Sequence, residues 1–172
     1  MTPVIHIECA EGVEAPDDDS FSLWVSAALN SATPSIEELS TAVREAPELS
    51  IRVTGNEEMA DLNQQYRGKS GPTNVLSFPT DFPPDVETGL LGDIVICAPR
   101  VLEEAAAQNK PVAAHWAHLT IHGVLHLLGH DHIDKEEAEA METLEISTLS
   151  KLGYPDPYQA VEHSPEGGKV AS

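Results

Sequence analysis

The sequence predicts a single α+β domain in which a mixed sheet of roughly four strands is packed with about five helices. Short β-branched runs of alternating polarity, typical of half-buried strands, come early in the chain, whereas the longest helical patterns come late. The length of 172 residues corresponds to about one domain and allows a core without disulfide bonds. The two cysteines, Cys9 and Cys97, are too few for a disulfide scaffold.

The first half of the chain predicts two strands with helices after them. Polar and apolar residues alternate in both strand segments. Asp19 or Ser20 is a suitable cap for the first helix, and Asn56 is one for the helix after the second strand. The expected strands are residues 4–9 and 49–54, the expected helices are residues 21–29 and 56–66, and residues 35–45 are expected to form a further helical turn or two.

The second half predicts two further strands and three helices. Pro99 and Pro111 stand in the first turn of a helix, where proline is favoured, and Gly129 ends the central helix. The expected strands are residues 74–78 and 90–98, and the expected helices are residues 99–109, 111–128 and 135–152. Residues 1–154 form one expected domain, and the polar tail 155–172 is expected to be disordered.

The charge of the chain is strongly negative and unevenly distributed. Nine Lys and Arg residues against 29 Asp and Glu residues give a net charge of −20. This excess argues against a non-specific nucleic-acid binder and against binding to anionic membranes, because both depend on cationic surface. Solubility or adaptation to high salt is the main explanation. Four cations, Arg67, Lys69, Arg100 and Lys110, lie in the middle of the chain.

No segment predicts a membrane span or a secretion signal. The chain has no apolar run near the ~18 residues that suggest a span. The N-terminus has no basic region followed by an apolar run. We therefore expect a cytoplasmic protein that does not act at a membrane.

Residues 122–132, which read HGVLHLLGHDH, predict a metal site. His122 and His126 are four positions apart on a predicted helix, so both imidazoles project from one face. Gly129 then allows the chain to turn back and bring His132 to the same point. Three neutral imidazoles leave the fourth position of a tetrahedral zinc ion open, which is typical of a catalytic site. We predict one zinc ion here, although Ni²⁺ or Co²⁺ can occupy such a site.

Neighbouring residues have more than one interpretation. His115 and His118 lie upstream on the same helix and are expected to be structural or to support the ligands. Zinc proteases with the same ligand spacing use a Glu as general base, and Gly123 stands at that position here, which argues against a peptidase. Asp93 has two equally weighted roles, a structural one and the orientation of a histidine.

Two motifs upstream of residues 122–132 make the sequence resemble a known family. They are YRGKSGPTNVLSFP at residues 66–79 and LLGDIVI at residues 90–96. The three motifs in this order resemble the YbeY family, and the resemblance covers residues 48–152. It implies a single α+β domain, one zinc ion on the three histidines, and a bacterial metal-dependent endoribonuclease. It further implies a role in maturation of the 3′ end of 16S rRNA and in ribosome quality control.

The resemblance also implies that Arg67 is a functional residue. A guanidinium presents a rigid fork of donors that suits phosphate oxygens. Without the resemblance, a surface Arg that neutralises the end of a helix dipole is an equal alternative. Asn74 stands where the family has Asp or Asn, and His130 stands where Tyr is frequent. His130 or Asp131 is a candidate to assist proton transfer.

Three functions follow from these observations. The first is a zinc-dependent endoribonuclease that acts on single-stranded RNA in the ribosomal subunit, with water or the RNA 2′-hydroxyl as nucleophile. The second is a ribosome-assembly factor with a structural zinc site and little nuclease activity, because an acidic protein can bind basic ribosomal proteins. The third is a peptidase or another metallohydrolase, which Gly123 disfavours.

Overall fold

The computed structural model of the protein describes residues 3–32, 45–80, 88–129 and 135–158. Within these ranges the chain forms four strands and five helices, which confirms the predicted α+β class with a four-stranded mixed sheet. In chain order the elements are β1 (Val4–Cys9), α1 (Asp18–Ser31), β2 (Glu48–Thr54), α2 (Asn56–Arg67), β3 (Val75–Pro79), β4 (Leu90–Cys97), α3 (Ala98–Ala107), α4 (Val112–Leu127) and α5 (Lys135–Lys151).

The strands form one sheet in the order β1-β2-β4-β3. Strands β1, β2 and β4 run parallel, and β3 is antiparallel to β4. Parallel neighbours need a crossover connection, and α1 lies in the one between β1 and β2. Strand β3 is at an edge, which suits Pro79 because proline cannot donate a hydrogen bond to a strand ladder.

Gly92 allows β3 to lie close against β4. Its φ is +146°, and a Cβ atom at this position would lie 2.2 Å from the carbonyl oxygen of Phe78. A side chain here would therefore displace the backbone of β3. Glycine is required at this position by both the backbone conformation and the close approach.

Helix α4 lies at the centre of the core. It is buried along most of its length and packs against the sheet, α1, α3 and α5. Ile94 of β4 and Ile121 and Leu125 of α4 are fully buried. Phe21 of α1 contacts Trp116 of α4 edge to face, with ring centroids 6.1 Å apart, a favourable aromatic geometry. The core thus holds α4 in a fixed rotation about its axis.

Helix α2 covers part of the opposite face of the sheet. Met59 of α2 is fully buried in a second, smaller cluster with Leu76, Val95 and Cys97. The guanidinium of Arg52 on β2 also donates to both carboxylate oxygens of Glu58 on α2, at 2.6 and 2.8 Å. These contacts fix α2, and its last residue is Arg67.

The starts of two helices differ from the sequence expectation. Asp17, rather than Asp19 or Ser20, is the N-cap of α1, and its side chain accepts a hydrogen bond of 2.8 Å from the backbone N–H of Ser20. Gly55 is the N-cap residue of α2, and Asn56 is already helical. Polar residues cluster at both starts, so the sequence pattern does not distinguish between adjacent caps.

Two expected segments are described only in part. The helical turn expected over residues 35–45 lies, except for residue 45, outside the described residues. Of the tail expected to be disordered, residues 155–158 are described, and there the backbone N–H of Tyr158 donates a 2.8 Å hydrogen bond to the carboxylate of Asp156. Residues 159–172 lie outside the described part. Among the helices of the described ranges, none is long and apolar enough to cross a bilayer.

Glu104 of α3 connects three segments near the site. Its carboxylate accepts hydrogen bonds from the Nδ2 atom of Asn74 at 3.0 Å and the Nε2 atom of His115 at 2.8 Å. Arg100 donates to the other oxygen at 3.3 Å. Burial raises the pKa of Glu104, but the hydrogen bonds from His115 and Asn74 outweigh it and lower the pKa below its usual value. Glu104 is therefore ionised and anchors the residue before β3 to helix α4.

The network predicts a pH-dependent effect of Glu104→Gln. We expect the free energy of unfolding at neutral pH to fall by about 1–3 kcal/mol, because a carboxylate that accepts charged hydrogen bonds is lost. The folded-state pKa lies below the unfolded value, so the contribution is complete above about pH 4.5 and disappears as the pH falls through the folded pKa. Urea unfolding of both proteins across acidic pH measures this difference. Glu103→Gln is the control, because its exposed pair with Arg100 contributes at most about 1 kcal/mol. A Glu104→Gln difference that grows in acid would contradict the assignment.

Candidate metal centre and active-site pocket

Three histidines occupy one face of α4 at intervals of four residues. The ring centroids of His118 and His122 are 6.2 Å apart, and those of His122 and His126 are 4.8 Å apart. His118 is buried, whereas His122 and His126 are half-buried and line a pocket. The structure thus confirms that the helical spacing places His122 and His126 on the same face.

A buried carboxylate on α5 joins the first two of these rings. The Oε1 atom of Glu145 is 2.7 Å from Nε2 of His118, and its Oε2 atom is 2.8 Å from Nδ1 of His122. The hydroxyl of Tyr158 also donates to Oε1 at 2.5 Å. The side chain of Glu145 is only 1% exposed, so it depends on these donors rather than on water.

The protonation states in this cluster follow from burial and from the hydrogen bonds. Burial raises the pKa of Glu145, but the hydrogen bonds from His118 and His122 outweigh burial and lower the pKa to about 2. Burial lowers the pKa of His118, against the opposite effect of Glu145. Burial and the neighbouring charge of Glu145 raise the pKa of Tyr158. At neutral pH the cluster therefore holds a carboxylate, a neutral His118 and a protonated phenol.

The cluster of His118, His122 and Glu145 could hold a metal ion. One ligand atom from each lies within 4.8 Å of the others. Two ligand atoms on one tetrahedral zinc ion lie about 3.3 Å apart, given bonds of about 2.0–2.1 Å. The contacts of Glu145 with the two rings are shorter, at 2.7 and 2.8 Å, and have the length of hydrogen bonds. Because Nδ1 of His122 contacts Glu145, a metal held together with His126 would contact Nε2 of His122.

The pocket brings together residues from two of the sequence motifs. It has a volume of about 460 Å³. His122 and His126 of α4 line it, and the segment from α2 to β3 contributes Arg67, Thr73, Asn74 and Ser77. The hydroxyl of Ser77 donates to the backbone oxygen of Gly123 at 3.3 Å, which connects β3 to α4 directly.

Arg67 is exposed at the C-terminal end of α2. Gly68 follows it in the left-handed conformation, with a φ of +66°, and its N–H bonds to carbonyls of the preceding turn. This ending stops the helix beside the pocket and leaves the guanidinium at the pocket wall. Arg67 thus lines the same pocket as His122 and His126, and its contact with phosphate stays a prediction.

Three expected site residues lie outside the described part of the chain, and a fourth residue considered for the site lies on the opposite face of the sheet. His132, the third expected ligand, and the candidate proton-transfer residues His130 and Asp131 belong to residues 130–134, which lie outside the described part. Asp93 is exposed on β4, adjacent to Ile94, which faces α4. Alternation along the strand directs Asp93 to the opposite face, so the orienting role considered for it is wrong.

Glu145 and Tyr158 are the site residues that sequence reasoning missed. Glu145 lies four residues from both Met141 and Leu149, which are fully buried, so helical periodicity places it on the buried face of α5. A glutamate in a buried stripe is itself a signal, because buried carboxylates are rare unless paired. Tyr158 follows the last helix in a segment of polar composition, and no local pattern distinguishes it.

Gly123 explains why the glutamate of zinc proteases has no place here. A Cβ atom at this position would lie 3.0 Å from Cγ2 and 3.1 Å from Cδ1 of Ile94. Ile94 is fully buried in the centre of the sheet and has little room to move. A larger side chain at position 123 would therefore push α4 away from β4.

The fold and the site define an α+β protein with a candidate metal centre, and comparisons with known proteins identify its family. The family described as Endoribonuclease YbeY matches residues 7–153. An Endoribonuclease YbeY from Cellvibrio japonicus (strain Ueda107) is 49% identical over 150 residues, covering 87% of this chain and 79% of that protein. The chain belongs to the endoribonuclease YbeY family.

A solved structure supports the fold. The solution structure of TM1509 from Thermotoga maritima matches with a TM-score of 0.55 and 24% sequence identity. The match covers 87% of this chain and 92% of that one. At this level of identity the likeness shows the fold alone.

We expect Gly123→Ala to destabilise the protein. Overpacking against Ile94 costs about 1–3 kcal/mol, whereas the gain in helix propensity is about 1 kcal/mol, so the free energy of unfolding should fall. Chemical denaturation of Gly123→Ala, Ile94→Val and the double variant measures the effect. Because Ile94→Val removes the Cδ1 atom, the double variant should lose less than the sum of the two single changes. Additive losses would show that the contact with Cδ1 is not the cause.

We expect Tyr158→Phe to destabilise the protein through Glu145. The substitution removes one donor to a buried carboxylate, which corresponds to about 1.5–3 kcal/mol in the free energy of unfolding. Urea unfolding of the metal-free protein measures it. Tyr66→Phe is the matched control, because Tyr66 is 59% exposed and its change should stay within about 0.5 kcal/mol. Equal effects of the two variants would argue against the role of the hydroxyl.

Proposed function

We propose that this protein is a zinc-dependent endoribonuclease that cuts single-stranded RNA. We further propose that it acts in the cytoplasm, in maturation of the 3′ end of 16S rRNA and in ribosome quality control. The main support is that His122, His126 and Arg67 line one pocket in a chain of the endoribonuclease YbeY family. A cation and two metal-ligating side chains in one pocket suit the cleavage of a phosphodiester.

The metal site of this proposal consists of His122, His126 and His132. His122 would contribute Nε2, because its Nδ1 atom contacts Glu145. Three neutral imidazoles with one open position suit Zn²⁺ and a reacting group. When bound, the ion supplies an activated hydroxide or a Lewis acid for a phosphoryl oxygen.

Arg67 would bind the phosphate at the cleavage site. Its guanidinium offers donors in a planar fork, and it would stabilise the negative charge that develops on the phosphoryl oxygens. A well-aimed donor of this kind contributes about 3–4 kcal/mol in other enzymes. The hydroxyl of Thr73, at the same pocket, can donate to a further oxygen. His130 or Asp131 is the candidate for moving the proton.

A second candidate function is a ribosome-assembly factor with little nuclease activity. The net charge of −20 favours it, since an acidic surface attracts basic ribosomal proteins more readily than RNA. In that case the metal would stabilise the fold, and Arg67 would contribute little.

The experiment that tests the proposal is cleavage of a labelled single-stranded RNA and its duplex by the purified protein. We expect cleavage of the single strand, loss of activity with a chelator, and recovery on addition of Zn²⁺. His126→Ala should abolish the metal-dependent activity, and Arg67→Ala should lower it by about 10²–10³-fold. His6→Ala and Lys151→Ala are matched controls, because neither residue lines the pocket, and both should retain full activity.

A contaminating nuclease and an assembly factor would each give a different result in this experiment. Equal cleavage by the wild type and both pocket variants would indicate a contaminating nuclease and overturn the proposal. Absence of cleavage together with binding to the ribosomal subunit would favour the assembly factor.

A further inference from the structure

The buried carboxylate of Glu145 lies at the pocket and contacts His118 and His122. We propose that Glu145 is a positioning residue that holds the proton of His122 on Nδ1 and thereby directs Nε2 of His122 to the metal. The inference rests on the proposed function, because it takes His122 as a metal ligand. It adds a residue of α5 to a site whose described histidines lie on α4.

The hydrogen bonds determine where the proton of His122 lies. An ionised carboxylate only accepts hydrogen bonds. The contact of 2.8 Å between Oε2 of Glu145 and Nδ1 of His122 therefore requires a proton on Nδ1. In a neutral imidazole the other nitrogen then has a lone pair, which is the form that binds a metal.

The other two donors keep the carboxylate in place. His118 and Tyr158 both donate to Oε1, at 2.7 and 2.5 Å, and so leave Oε2 directed at His122. Met141 and Leu149, one turn away on either side, are 1% exposed and anchor α5 in the core. The core thus fixes the carboxylate and, through it, the ring of His122.

A direct metal contact of Glu145 is the competing interpretation. In that arrangement Glu145, His118 and Nδ1 of His122 would surround one ion, and Nδ1 would carry no proton. In the described structure both contacts of Glu145 have the length of hydrogen bonds, 2.7 and 2.8 Å, which is the arrangement that the proposal takes. The two interpretations assign the proton of His122 to different nitrogens, which makes them separable by experiment.

Glu145→Gln tests the inference. The glutamine oxygen would face the two donors at the Oε1 position, and its NH₂ group would face Nδ1 of His122. The ring would then accept at Nδ1 and carry its proton on Nε2, which opposes coordination. Loss of a group that orients a metal-ligating histidine lowers metal affinity by about 10–100-fold. Glu139→Gln is the control, because it removes the same charge from an exposed position of α5.

The first readout is the tautomer of His122, observed by ¹⁵N NMR of its imidazole above neutral pH. In the wild type we expect the proton on Nδ1 in the metal-free protein, and Zn²⁺ should shift the Nε2 signal while Nδ1 stays protonated. A proton on Nε2 in the metal-free protein, or loss of the Nδ1 proton on binding Zn²⁺, would overturn the inference. This readout needs no variant, so it decides the matter even where Glu145→Gln fails to fold.

The second readout is zinc affinity, measured by competition with a chromophoric chelator. We expect Glu145→Gln to lose about 10–100-fold and Glu139→Gln to match the wild type. Unchanged affinity in Glu145→Gln, or a wild type that binds no Zn²⁺, would overturn the inference. RNA cleavage is measured separately. A wild type with the expected tautomer and affinity but without nuclease activity would refute the proposed function and leave the positioning role intact.

Discussion

Helix α4 must pack in the core and carry the site with the same stretch of backbone, and the rest of the structure depends on this constraint. Ile121 and Leu125 fix the rotation of α4 against the sheet. The face of α4 that carries the histidines can therefore point in only one direction. Gly123, next to His122, lets the helix approach Ile94 of β4 closely. The same contact that excludes a side chain at position 123 brings the helix near β3, where Ser77 bonds to it. The pocket is therefore a consequence of close helix–sheet packing.

A buried carboxylate is a costly feature that packing alone does not require. Removing one ion from water costs several kcal/mol, and only well-placed donors offset this. Glu145 receives such donors from two turns of α4 and from Tyr158, which follows α5. Three segments of the chain thus converge on one side chain beside the pocket. A core built for packing alone would have apolar side chains at all of these positions. The arrangement therefore points to His122, which the carboxylate contacts.

Electrostatics shape the proposed reaction on RNA. The chain carries a net charge of −20, which repels a polyanion at long range. Within a Debye length of about 8 Å at physiological salt, local charges matter more than the net charge. Arg67 and the proposed metal ion supply positive charge at the pocket, where a phosphate would be bound.

The sequence by itself determined the α+β class, the four strands, the five helices and the shared face of His122 and His126, because strand alternation and helical spacing are properties of neighbouring residues. The spacing also showed that the glutamate of zinc proteases is replaced by Gly123. The structure supplied the reason, because a side chain at position 123 would lie too close to Ile94. Only the tertiary structure decided that Arg67 lies at the histidine pocket, that Asp93 faces away, and that Glu145 and Tyr158 complete the cluster. His118 and Glu145 are 27 positions apart, and no local pattern specifies how α5 packs on α4. That packing depends on the summed burial of the whole core, which only the folded chain defines.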